Sequence, residues 1–121
     1  MTEGQAQSAV EAMRALAMQI DPSIETLMEA HSFSFQRMNA SANEAVASFL
    51  CASSPEGPVW TLEISHSIDN ETAVTLRQSV DEKPFIALSV IVGTEPVRSL
   101  AGAIGLAVSL VTLSDQIRMS P

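Results

Sequence analysis

The sequence predicts an α+β fold: an N-terminal helix, an antiparallel β-meander of three to five strands, and a C-terminal apolar helix packed on the sheet. Three observations predict it. Apolar residues near the start recur at helical spacing; the stretch from Pro58 onward alternates with period two; and an uncharged apolar run fills residues 99–114. A chain of 121 residues suits one core, so residues 1–121 are expected to form a single domain.

From about Gly4 to Ile20, Val10, Met13, Ala17 and Ile20 recur at spacings of three and four, with Leu16 beside them. Gln5, Gln7, Glu11 and Arg14 line the other side, which completes an amphipathic helix. Ser8 with Glu11 has capping-box spacing, or Ser8 lies inside a helix that begins at Thr2. Asp21-Pro22-Ser23 breaks this helix and offers an N-cap, with Pro at the first position of a short second helix through Ile24, Leu27 and Met28.

Two readings compete between His31 and Ser54. Ser-Phe-Ser-Phe at 32–35 alternates like a half-buried strand, Asn39 to Asn43 would turn, and Glu44 to Ala52 would return. Against this, Ile24, Met28, His31, Phe35, Met38, Ala42, Ala45 and Phe49 are spaced 4-3-4-3-4-3-4, the rhythm of a coiled-coil seam. The Ser and Asn content weakens a helix, because those side chains compete for the backbone. Strands are the preferred reading.

Beyond Pro58 the pattern is clearer. Trp60, Leu62, Ile64, His66 and Ile68 share one strand face, Asp69-Asn70 turns, and Thr72, Val74, Leu76, Gln78 and Val80 share the next. Residues 81–84 turn again, and Phe85 to Val92 is so continuously apolar that cover is expected on both of its faces. Gly93-Thr94-Glu95-Pro96 would open the last helix, with Thr94 as its cap and Glu95 favourable to its dipole. That helix is apolar around most of its circumference. It therefore needs cover beyond one stripe, from the N-terminal helix or from a second subunit, which predicts a homodimer.

Composition narrows the function. Hydrophobic residues at 46% exclude wholesale disorder. Aromatics at 4% leave the core to Val, Leu, Ile, Ala and adaptable Met. Fourteen acidic residues against six basic ones give a net charge of −8, and the basic residues are scattered. Direct binding to nucleic acid or to an anionic membrane surface is disfavoured; a basic protein partner fits better. The lone Cys51 forms no internal disulfide and no secretory signal is recognisable, so a cytoplasmic location is expected. Cys51 in its apolar setting reads as a buried, inert thiol. The apolar run of 99–114 is shorter than the roughly 20 residues of a membrane span.

No catalytic or metal-binding constellation stands out. There is no phosphate-cradling glycine loop and no nucleophile elbow. One Cys and two His cannot supply a closed zinc site, and no cofactor is implied. His31 and His66 are the candidates for a ligand pair or an acid/base pair, yet His66 falls on an apolar strand face where a hydrogen-bonded core histidine is the simpler expectation. Glu63 faces away from it on a strand. Glu25 with Glu29, or Asp81 with Glu82, could belong to a duplex-mimicking acidic surface, although a solvated face explains them more simply.

The element order, size, acidity and expected dimer resemble those of small secretion chaperones, which hold an extended segment of a client. The resemblance is one of architecture, and no residue motif carries it. The function expected is a non-enzymatic protein-binding module: a chaperone, adaptor or inhibitor. The alternatives are an acidic mimic of nucleic acid, and a small-ligand or enzymatic domain built on His31 or His66. An exposed apolar groove or sheet edge would favour the first.

Overall fold

Thr2 begins the first helix through a capping box. Its hydroxyl accepts from the N–H of Gln5, and the Gln5 side chain accepts from the N–H of Thr2, so two otherwise orphaned donors are satisfied together. Ser8 lies inside the helix. The computed structural model describes residues 2–52, 59–80, 83–93 and 97–119, and the elements run α1 (Glu3–Gln19), α2 (Pro22–Ala30), β1 (Ser34–Ala40), β2 (Glu44–Ala52), β3 (Val59–Ser67), β4 (Thr72–Val80), β5 (Lys83–Val92) and α3 (Leu100–Met119). The strands form one antiparallel sheet in sequence order, β1-β2-β3-β4-β5.

α1 and α3 share one face of this sheet. α1 lies across β1 to β3, and α3 lies across β4 and β5. Trp60, Leu62 and Ile64 of β3, with Val74 and Leu76 of β4, form the middle of the core under both helices. The expected face of α1 is corrected by about one residue. Ala9, Ala12 and Leu16 are buried, Met13 and Ile20 pack beside them, and Val10 remains half exposed. The two alanines recur at the same helical spacing as the larger residues and let the helix axis sit closer to the sheet.

Between α2 and β2 the strand reading holds and the long helix does not form. Ser41 Oγ accepts from the N–H groups of Asn43 and Glu44, which closes the β1–β2 hairpin through the backbone competition that Ser favours. At the far end of β3, Ile68 departs from expectation. It lies past the strand end, in the turn that Asn70 completes with φ 63°, and is 56% exposed rather than on the buried face.

Two further expectations are corrected. β5 is an edge strand covered on one side only, with Ile86 56% and Ile91 49% exposed on the other. Its apolar run reflects edge packing and an open face rather than two covered ones. α3 begins at Leu100, and its first turn is capped by Ser99, whose hydroxyl accepts from the N–H of Gly102. Thr94 and Glu95, the expected opening of this helix, lie outside the described residues. α3 buries Ala103, Ile104, Ala107, Val108 and Val111 on the sheet and leaves Leu106 and Leu113 exposed. Among the described residues, no helix is long and apolar enough to cross a membrane.

Candidate functional site

The C-terminal end of α2 builds one wall of a groove. Ser32 takes a left-handed conformation, φ 64°, just past the helix. This allows the Ser32 N–H to bond Glu29 O at 3.0 Å and the Phe33 N–H to bond Met28 O at 2.9 Å. That pair of bonds is a Schellman motif, whose accompanying apolar contact joins the residues at either end of the outer bond, here Met28 and Phe33. Met28 and Phe33 are both buried and both line the groove.

The opposite wall comes from β1, and a bulge shapes it. Phe35 pairs with Phe49 and Arg37 with Ser48, so Gln36 is the extra residue. Residues three apart on a regular strand point to opposite faces. The insertion instead brings Phe35 and Met38 to the same, helix-bearing face, opposite Phe49 and Ala47. Phe35 meets Phe49 edge to face, with ring centroids 5.6 Å apart and planes at 70°. Phe35 nevertheless stays 57% exposed, because α1 ends at Gln19 and α2 does not close over the strand.

Between these walls lies a cavity of about 680 Å³ that also reaches Ala17 and Ile20 at the end of α1. Its rim is acidic. Glu25 and Glu29 line it from positions one helical turn apart. Like charges at that spacing destabilise an isolated helix by about 0.2–0.5 kcal/mol. Glu29 also sits near the helix end where a carboxylate opposes the dipole, and no basic residue stands in that last turn. Among the described residues, no Lys or Arg lines the groove. Asp21, at the start of α2, is different: hydrogen bonds from the Ser23 hydroxyl and the Ile24 N–H hold its carboxyl below the usual range.

The histidines do not converge. His31 caps α2 and is exposed. His66 is buried in a polar joint between α1, β3 and β4, with Nδ1 2.9 Å from Gln19 Nε2 and 3.0 Å from Thr72 Oγ1. Thr72 in turn donates to Gln19 Oε1 at 2.9 Å. The joint therefore satisfies groups buried under the end of α1, as a core histidine does. His66 also borders a second cavity of about 160 Å³ with Ser8, Glu11 and Asn70. Glu63 lies on the opposite sheet face and pairs with Arg77. Asp81 and Glu82 lie outside the described residues. Among the described residues, no group of three or more His, Cys, Asp or Glu is placed to hold a metal ion. Cys51 is buried, and Trp60 Nε1 is a buried donor without a partner among the described residues.

Compared with known proteins, the chain matches no family model, no curated protein and no solved structure.

The groove could have been suspected in one respect. Three of the four Phe fall between residues 33 and 49, and all three line it. That density marks a locally aromatic region in a chain otherwise poor in rings. It gives no hint of the bulge or of the early end of α1, which together leave the region open.

Proposed function

We propose that the chain is a non-enzymatic protein-binding module, a small acidic chaperone, adaptor or inhibitor, which holds a segment of a protein partner in the groove between α2 and β1. One observation carries the reading: an apolar cavity of about 680 Å³ opens beside the unpaired edge of the sheet. A half-exposed Phe35 gives folding only part of what its ring could supply, and it is a ready anchor for a partner. The open side of α3, with Leu106 and Leu113 exposed, supports action as a homodimer, and the buried thiol of Cys51 suits a reducing, cytoplasmic setting. The acidic-mimic reading has less support, since among the described residues only Glu25 and Glu29 meet at the groove and Glu63 is neutralised by Arg77.

The test is capture from a lysate of the source organism at low and high salt, with the wild-type chain and Phe35→Ser side by side. A protein retained by the wild type at high salt and lost by the variant is the expected result. Equal retention by both removes the groove from the reading. A nucleic-acid-binding protein held at low salt and released at high salt by both chains would favour the mimic instead.

A further inference from the structure

The groove reading says where a partner docks; its geometry also says in what form. Among the described residues, β1 hydrogen-bonds to β2 on one side only, so its other side presents unpaired backbone N–H and C=O groups along the sheet edge. The groove lies directly beside that edge, because Ser34, Phe35 and Met38 of β1 are among its lining residues. A helix in the same place would leave the edge groups to water. An extended chain would pair with them and present every second side chain to the groove.

Charge narrows the choice further. Glu25 and Glu29 repel each other across one helical turn, and neither has a cationic partner among the described residues. The cation on the nearest strand, Arg37, is opposite Ser48 and so belongs to the other sheet face. A positive side chain supplied from outside would relieve both carboxylates at once.

Resting on the groove reading, we propose that the occupant is an extended peptide segment that adds to β1 as a sixth strand. Its alternate apolar side chains contact Phe35 and Met38, and its Lys or Arg side chains lie beside Glu25 and Glu29. Backbone pairing supplies affinity with little demand on sequence, while the apolar alternation and the basic residues select among segments.

The test is selection of a random peptide library, about a dozen residues long, on the immobilised full chain, followed by synthesis of the recovered peptides. The expected binders alternate apolar residues and carry Lys or Arg. Two N-methylated versions of a binder, one blocking each edge of the peptide strand, should then separate. One loses at least about tenfold in affinity and the other keeps it, because only one edge faces β1. Replacing both carboxylates with Glu25→Gln and Glu29→Gln, at exposed positions where the fold should stay intact by circular dichroism, should weaken binding several-fold and flatten its salt dependence.

Binders that need Phe35 but tolerate both N-methylated versions overturn strand addition and leave the groove reading standing. Binders without basic residues, indifferent to the Gln variants, overturn the charge assignment. Recovery of no peptide that depends on Phe35 overturns the groove reading, and this inference with it.

Discussion

At one edge of the sheet Gln36 is the extra residue of a bulge in β1, and at the other edge Ala87 is the extra residue between Leu88 and Ile86 of β5. Both insertions change which side chains share a face. At β5 the result is absorbed: Ala87, Leu88 and Val92 pack against the core that α3 covers. At β1 the result is left partly open: Met38 packs against the core, but Phe35 on the same face stays exposed near the end of α1, and a groove remains. The local device is the same in both places. What separates core from site is whether a helix is long enough to cover it.

The sharpest way to break that comparison is to truncate one side chain on each side. Ile104 of α3 has no exposed surface, so Ile104→Ala should cost about 2–5 kcal/mol in urea denaturation, from lost burial plus the cavity left behind. Phe35→Ala should cost less than about 1 kcal/mol, because the ring is 57% exposed before the change. Similar losses at the two positions would mean that the groove is part of the core in solution.

A second measurement sharpens the contrast beneath the helices. Among the described residues, the buried positions of α3 are all apolar, whereas the end of α1 rests on the Gln19–His66–Thr72 joint. Thr72→Val keeps the shape and removes the hydroxyl that contacts both partners. It should cost about 1–3 kcal/mol by leaving buried polar groups unpaired. A loss near zero would show that water replaces the hydroxyl.

These positions also show how much was legible in the sequence. β3 and β4 were plain, because Trp60 to His66 and Thr72 to Leu76 alternate without interruption and the burial follows residue by residue. The region 31–53 was ambiguous for a physical reason. The bulge sets Phe35 and Met38 three residues apart on one face, and that spacing imitates a helix. The Schellman motif was hidden because Ser32 fills a position where Gly would have announced it. Nor could the groove be read, since it depends on where α1 stops relative to β1, a tertiary fact. Glu25 and Glu29 were legible as a pair, but nothing local placed them on an apolar rim.

Smaller effects come from backbone conformation, where the two regions differ in the opposite sense. The groove side uses a non-glycine at a left-handed position, and α3 carries Gly105 inside a helix where an added Cβ would meet nothing within 4 Å. Ser32→Gly and Gly105→Ala should each stabilise the chain by about 0.5–1 kcal/mol, read from thermal midpoints. If Gly105→Ala instead destabilises, increasingly so at high protein concentration, the slim side of α3 is covered by a second copy.

The smallest expected effect is electrostatic and lies at the start of α2, the helix that walls the groove. Asp21 caps α2, and its carboxyl is held below the usual range by the Ser23 hydroxyl and the Ile24 N–H. A depressed folded value means that the charged carboxylate favours the folded state. Its contribution is complete above the unfolded value, about 4, and is lost as pH falls through the lower folded value. Asp21→Asn keeps an acceptor at the cap but removes the titration. The variant should therefore be slightly less stable than the wild type at neutral pH, with the difference closing as pH falls below the unfolded value and through the lower folded one. No counterpart is expected at α3, where Ser99 caps without a charge, so Ser99→Asn should shift stability equally at every pH. A difference for Asp21→Asn that persists unchanged into acid would mean that the cap acts through shape alone, and that the two helix starts do not differ electrostatically.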